Sequence, residues 1–170
     1  MRNLFVRMIR ASRLDAQTYE EVEADPSSLP GAVFIVLAAS IAAAIGAGMR
    51  NFADIATVTV FSVATWAVWV GLTYFIGTRL LPGRETKSDL GEIFRTTGYS
   101  ASPGVLRILG MLPSVGVPIF LGVTFWMLLA FVIAIRQALD YTGSGRAFAV
   151  CILGWLIHGI LFFAFVMTAV

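Results

Sequence analysis

Charged side chains are scarce in this chain of 170 residues. They make up 13% of it, whereas hydrophobic residues make up 58%, and the mean hydropathy is +0.86. Soluble domains carry about 25% charged residues, so this sequence lacks the polar surface that a water-soluble fold needs. It predicts an all-α integral membrane protein, with room for roughly four to six spans of about 20 residues each.

Cysteine and histidine are nearly absent too. Cys151 is the only cysteine, which excludes an intramolecular disulfide and a multi-cysteine metal site. His158 is the only histidine, and the sequence contains no HExxH, GxSxG or P-loop pattern. Because no nucleophile and base can be paired, we expect no enzyme activity. We likewise expect no metal, no cofactor and no nucleic-acid partner.

The N-terminal segment 1–30 is the most polar part of the chain. Its periodicity predicts one amphipathic helix over 2–24, although Val6 and Asp15 depart from the pattern. It lacks the apolar core and cleavage site of a signal peptide. Such a helix beside membrane spans usually lies in the headgroup layer, so we expect it to anchor the chain there or to bind a partner. The expected membrane-surface or partner face consists of Arg2, Arg7, Arg10 and Arg13.

Residues 31–170 are predicted to form a membrane domain of five spans. Ala42 and Gly46, four residues apart in the first span, favour close helix packing, either within one subunit or in a homo-oligomer. A further segment, third in chain order, is interrupted. Four runs are apolar and long enough to cross a bilayer, at 31–49, 55–77, 119–135 and 147–168.

The interrupted segment, 90–112, contains "GYSASPGVLR". Asp89 and Glu92 predict a capped helix start before it. Pro103 removes a backbone donor and disfavours helical geometry at the residue before it, so the third span is predicted to break near Gly98–Gly104. The freed backbone groups must be satisfied inside the protein. A ligand-binding or structural polar site is therefore expected at Gly98, Tyr99, Ser100, Pro103, Arg107 and His158.

Two of these residues have more than one interpretation. Arg107 at membrane depth is expected to reach the far interface, to cap freed carbonyls, to bind an anion, or to pair with Asp54. His158 is expected either to bond a neighbouring helix or to titrate in a polar cavity.

The basic residues predict the orientation. With five crossings, ten basic residues share the side of the N-terminus, and Arg50 alone lies on the other side. The positive-inside rule then places the N-terminus in the cytoplasm and the C-terminus outside. A re-entrant third segment would reduce this bias to eight against three. The ten residues are Arg2, Arg7, Arg10, Arg13, Arg79, Arg84, Lys87, Arg95, Arg136 and Arg146.

The stretch "GYSASPGVLRILGMLPSVG" resembles the third-span region of the Yip1 domain family, in which a Gly-Tyr pair precedes a proline. Gly98, Tyr99 and Pro103 carry this resemblance. The family implies a cytoplasmic N-terminal segment and five close spans. Its eukaryotic members, associated with Rab GTPases and vesicle traffic, carry an Asp-Leu-Tyr-Gly-Pro motif where this chain has "EADPSSLPG". The chain looks more like the short bacterial members, so we expect a bacterial cytoplasmic membrane.

Two functions follow from these features. The basic helix and the family resemblance favour a non-catalytic protein that organises the membrane or recruits partners, with the lipid bilayer as its first partner. The broken third span, Arg107 and His158 favour the alternative, a small transporter or channel with a polar site at the break. A continuous wet cavity lined by Tyr99, Arg107 and His158 would favour transport, whereas dry packing around them would not.

Overall fold

The computed structural model describes the backbone of residues 2–83 and 86–169 and the side chains of 3–83, 86–154, 156 and 157. All regular elements in these ranges are helical. A 3-10 helix, Ser102–Met111, follows the fifth α-helix of the chain, and a π-helical turn, Ile76–Leu80, follows the fourth. The α-helices are α1 (Arg2–Ser12), α2 (Ala16–Glu23), α3 (Leu29–Gly46), α4 (Phe52–Phe75), α5 (Leu90–Ser100), α6 (Gly116–Ala138) and α7 (Ser144–Ala169).

Three helical stretches in the described part of the chain are long and apolar enough to cross a membrane. They are Pro26–Gly46, Phe52–Leu80 and Gly116–Ala138, with mean hydropathies of 2.2, 1.8 and 2.4. Each contains at least the length of about 20 residues that the hydrocarbon core requires. Large apolar side chains such as Phe61, Leu121 and Phe125 remain exposed on their outer faces. The chain is therefore an integral membrane protein.

The N-terminal segment forms two helices, so the prediction of one helix over 2–24 was wrong. Leu14 has a φ of 64°, in the left-handed region, which ends α1. Asp15 then caps α2 by accepting a hydrogen bond from the backbone amide of Gln17 at 3.2 Å. The departure of Asp15 from the amphipathic pattern was the sequence signal for this boundary. The resulting turn folds α2 back against α1.

The predicted interrupted segment consists of α5 and the 3-10 helix. Asp89 and Glu92 form a capping box at the start of α5, as their spacing predicts. The α-helix ends at Ser100, and Ala101 leads into the 3-10 helix that contains Pro103. A proline that lacks an amide hydrogen is tolerated there because it stands in the first turn of the new helix.

This segment packs beside α3 and runs in the same direction. Three close approaches follow each other along both elements, pairing Gly98 with Ala32, Gly104 with Ala39, and Gly110 with Gly46. The small residues of α3 therefore pack within one chain. The 3-10 helix and α6 run in opposite directions, because Arg107 contacts Thr124 while Gly104 lies against Met127.

Candidate functional site at the junction of the N-terminal helices and the interrupted segment

Tyr99 lies in the last turn of α5 and is only 2% exposed. Two glycines permit close packing around it, Gly31 against the Tyr99 hydroxyl and Gly98 against Ala32. A Cβ atom on Gly31 would lie 2.7 Å from the Tyr99 hydroxyl, and a Cβ atom on Gly98 would lie 2.9 Å from the Cα atom of Ala32. Any side chain at either glycine would displace its neighbours. Because both positions are glycine, α5 and α3 approach closely, and the Tyr99 hydroxyl lies at the start of α3.

Arg7 of α1 reaches the same point. Its guanidinium donates hydrogen bonds to the Asp25 carboxylate at 2.9 Å and to the Ser28 hydroxyl at 2.8 Å. The bond to Asp25, helped by the Tyr99 hydroxyl, raises the pKa of Arg7. The Ser27 hydroxyl and then Arg7 hold the pKa of Asp25 well below its usual range. We call this cluster of Arg7, Asp25, Ser28 and Tyr99 the Arg7–Tyr99 junction.

Arg10 connects α1 to α2. It donates to Asp15 at 2.8 Å and makes a two-pronged pair with Glu21, with both distances at 3.0 Å. The carbonyl oxygens at the end of α1 also have partners. The Tyr19 hydroxyl donates to the Ala11 carbonyl at 3.0 Å, and the Trp126 indole donates to the Ser12 carbonyl at 2.7 Å. These bonds hold α1 in one position on the helical core.

Arg95 in α5 is a buried residue of this region that the sequence reasoning treated only as part of the charge count. It is 7% exposed, and its guanidinium donates to the carbonyls of Val22 and Glu23 at the end of α2. A cation at this position caps unpaired carbonyls and interacts favourably with the negative end of the helix dipole. The signal available in the sequence was an arginine one turn after the Asp89–Glu92 capping box, on the apolar face of α5.

The carboxyl group of Glu23 lies among other acids. Burial is the largest cause of its raised pKa, and the nearby charges of Glu92, Asp140 and Glu20 add to the effect. Together they raise the pKa of Glu23 to about 7. The charge of Arg95 opposes this shift, but its hydrogen bonds go to the backbone of α2. Glu23 is therefore a carboxyl group that exchanges its proton near neutral pH.

The hydroxyl groups at the interruption bond to nearby carbonyls of the chain. Ser100 donates to the Thr97 carbonyl at 2.7 Å, and Ser102 donates to the Tyr99 carbonyl at 2.6 Å. Thr97 donates to the Ile93 carbonyl at 2.6 Å. Pro103 is buried beside them. The hydroxyl groups at the interruption are thus hydrogen-bonded within the chain, as lipid requires of buried polar groups.

Arg107 lies apart from the Arg7–Tyr99 junction. Its guanidinium donates to the Thr124 hydroxyl at 2.9 Å and lies 5.0 Å from the centre of the Phe120 ring. It makes no ion pair with Asp54, so that suggested pairing was wrong: Arg107 faces α6 rather than the start of α4. The predicted site residues Gly98, Tyr99, Ser100 and Pro103 come together, while the side chains of His158 and Arg2 lie outside the described residues.

The outer surface of α1 is apolar. Phe5, Val6 and Ile9 are 58%, 51% and 53% exposed. Arg7 and Arg10 face inward to their acids, whereas Arg13 is exposed and pairs with no carboxylate among the described residues. Among the described side chains of the expected basic face, Arg7 and Arg10 are therefore paired within the chain and Arg13 is exposed.

The described residues contain no group of three His, Cys, Asp or Glu side chains arranged to hold a metal ion. A family model of the Yip1 domain matches residues 12–166. No curated protein and no solved structure matches the chain.

Proposed function

Because the chain belongs to the Yip1 domain family, we propose that it is a non-catalytic membrane protein that organises the bilayer around it. The N-terminal segment 1–30 would act at the membrane surface, and residues 31–170 would form the membrane domain. The observation that carries this proposal is the Arg7–Tyr99 junction, which holds the amphipathic α1 rigidly at the start of α3.

The position of α1 suits the headgroup layer. Arg7 bonds to Asp25 and Ser28, which flank the start of the first candidate span. Phe5 and Ile9 are each more than half exposed. An amphipathic helix whose apolar face enters the boundary between headgroups and acyl chains by about 5–10 Å spreads one leaflet. Because α1 is fixed to the membrane-spanning helices, it would spread the leaflet at one defined place.

We propose a topology of five crossings, with the N-terminus in the cytoplasm and the C-terminus outside. The lengths of α5 and the 3-10 helix support it. Eleven residues at about 1.5 Å and ten at about 2.0 Å amount to about 36 Å, comparable with a hydrocarbon core of about 30 Å. The parallel course beside α3 is also what a full crossing requires. The number of basic residues on the N-terminal side favours the cytoplasmic orientation of a bacterial inner membrane.

A depth measurement tests the position of α1. Single cysteines at Phe5 and at Gln17, in a Cys151→Ser background, would carry a fluorophore in reconstituted vesicles. Nitroxide lipids labelled near the headgroup should quench the label at residue 5 strongly and the label at residue 17 weakly. Equal quenching at both positions would contradict an interfacial α1.

Membrane organisation is tested by vesicle shape. Wild-type protein should reduce the diameter of vesicles or tubulate them in cryo-electron micrographs, because α1 enlarges one leaflet. Arg7→Gln, which uncouples α1 from the junction, should weaken this effect at equal protein density. Lys87→Gln removes one exposed charge outside the junction and serves as the matched control.

A transporter or channel has less support. One observation favours it: the Nε atom of Arg107 is buried and makes no hydrogen bond in the described structure. The hydroxyls at the interruption, in contrast, bond within the chain. Solute flux into proteoliposomes separates the two functions. We expect no flux above that of empty vesicles, and a flux lost in Arg107→Gln would establish the alternative.

A further inference from the structure

A groove runs between α1 and the 3-10 helix, beside Trp126. It encloses about 280 Å³ and is almost entirely apolar. Pockets for drug-sized ligands enclose about 300–1,000 Å³, so this groove suits one unbranched chain better than a ring system or a helix. The side chains that form its two walls are Phe5, Met8 and Ile9 of α1 and Pro103, Val105 and Leu106 of the 3-10 helix.

Arg13 is one of the residues that line this groove. It directly follows α1, and its backbone amide donates to the Ile9 carbonyl, so its side chain continues the stripe of Phe5 and Ile9 at intervals of four residues. The other polar groups nearby are already engaged. The Ser12 carbonyl accepts the Trp126 indole hydrogen, and the Ser102 hydroxyl donates to the Tyr99 carbonyl. Arg13 is exposed and pairs with no acid in the part of the chain that the structure describes.

We propose that this groove binds one acyl chain of an anionic phospholipid, whose phosphate pairs with Arg13. A lipid provides the two features that the groove complements, an unbranched apolar chain and a negative group at its end. Arg7 pairs with Asp25, and Arg10 pairs with Asp15 and Glu21, so Arg13 is the arginine of this segment, among the described side chains, that is available for such a ligand. The exposed Phe5 and Ile9 connect the groove to the surrounding bilayer.

The lipid would also explain how a groove this apolar is covered. An acyl chain of the surrounding lipid would occupy the groove and gain van der Waals contacts with Phe5, Ile9 and Leu106. The bound lipid would tie α1 to the 3-10 helix from the face opposite the Arg7–Tyr99 junction.

Photo-crosslinking tests the site directly. The full chain in neutral detergent is irradiated with phosphatidylglycerol that carries a diazirine in its acyl chain, or with the matching phosphatidylcholine. We expect mass spectrometry to locate the label in residues 5–9 and 102–106, with phosphatidylglycerol preferred about five-fold, the value of one basic residue near an anionic headgroup. Equal labelling of all exposed helix faces would overturn the proposal.

Variants separate the headgroup from the chain. Arg13→Gln should lower labelling by phosphatidylglycerol to the level of phosphatidylcholine, whereas Arg50→Gln, at an exposed arginine outside the groove, should not. Equal losses in both variants would show general charge attraction and reject the site. Val105→Phe should fill the groove and reduce labelling by both lipids. If it leaves labelling unchanged, the chain does not bind there.

Competition with glycerol phosphate distinguishes a lipid site from a simple anion site. The free headgroup should not displace the labelled lipid at equal concentration, because the chain supplies most of the binding. Displacement would mean that Arg13 binds anions without the groove, which contradicts the proposal. The inference builds on the surface role of α1 proposed above, but the two fail separately. Nitroxide quenching at residue 5 without specific crosslinking rejects the lipid groove alone, and specific crosslinking without quenching rejects the headgroup position of α1 alone.

Discussion

The Arg7 guanidinium and the Asp25 carboxylate lie 2.9 Å apart and join the first helix to the start of the first candidate span. Both side chains are about one-third exposed or less, and Asp25 also accepts bonds from Ser27 and Ser28. The two residues are eighteen positions apart in the sequence, and the segment between them contains all of α2. These polar contacts act together with apolar packing, because Ala11, Leu4 and Met8 of α1 lie against the buried cluster around Tyr99.

Asp25→Asn should loosen α1 without unfolding the protein. Asparagine can keep the bond from the Ser27 amide but loses the charge that holds Arg7. Hydrogen exchange measured by mass spectrometry should become faster in residues 2–12 and stay unchanged in α6. Because the pKa of Asp25 lies well below its usual range, its contribution is present above about pH 4 and is lost as the pH falls through the lower native value. A uniform increase of exchange in α1 and α6 would refute the local role.

Tyr99→Phe should cost about 1 kcal/mol of unfolding free energy, because it removes the hydroxyl beside Arg7 and keeps the ring. Tyr99→Ala should cost about 3–5 kcal/mol, since it also removes a buried aromatic ring and leaves a cavity. Unfolding in detergent measures both values. Equal costs for the two variants would mean that the hydroxyl, and not the packing of the ring, dominates.

Gly98→Ala should destabilise the protein by about 1–3 kcal/mol. Its Cβ atom would lie 2.9 Å from the Cα atom of Ala32, so the backbone of α3 would have to move. Gly122→Ala in α6 is the matched control, because nothing lies within 4 Å of the added atom. It should stabilise its helix by up to about 1 kcal/mol. Melting temperatures that move in the same direction in both variants would contradict the close packing of α5 on α3.

Glu23→Gln should stabilise the protein at high pH and have little effect at low pH. The native pKa of about 7 exceeds the ordinary value of 4.5, so the folded chain binds more protons between these values. Stability from this group is present below about pH 4.5 and is lost as the pH rises through about 7. Melting temperatures from about pH 5 to about pH 8 should fall less in the variant. Parallel profiles for wild type and variant would refute this role.

Arg95→Lys should cost about 1.5–3 kcal/mol, because a lysine cannot reach the Val22 and Glu23 carbonyls with the same planar group. Hydrogen exchange should become faster in the last turn of α2. Arg79→Lys, at an exposed arginine after α4, is the control and should have no measurable effect. A loss of equal size in both variants would argue against a specific cap.

Local sequence rules worked where a few neighbouring residues determine the geometry. The capping box of Asp89 and Glu92 needs only two side chains three residues apart, and it begins α5 as predicted. The hydrophobic runs likewise identified an integral membrane protein of the Yip1 domain family. Leu14 escaped the same reasoning, because the apolar pattern continues on both sides of the turn that it makes.

The contacts of the candidate site depend on how distant segments pack. In the sequence, Arg7, Arg10 and Arg13 all lie on the same predicted basic face. The fold pairs Arg7 with Asp25 and Arg10 with Glu21, and it leaves Arg13 without an acid among the described residues. Which arginine remains available is a property of the folded chain. Arg107 and Asp54 illustrate the same point, since topology alone suggested a pair that the packing of α6 replaces with Thr124 and Phe120.

The sequence by itself determined that this chain enters a membrane and belongs to its family, because hydropathy and short-range spacing depend on composition and on neighbours along the chain. It also indicated a change of backbone geometry near Pro103, where α5 gives way to a 3-10 helix, since a proline lacks the amide hydrogen that an α-helix needs. Only the tertiary structure decided that Tyr99 meets Arg7 and that a groove opens beside Arg13. Those relationships join residues that are far apart in sequence, and close packing of glycines and alanines sets the distances between them.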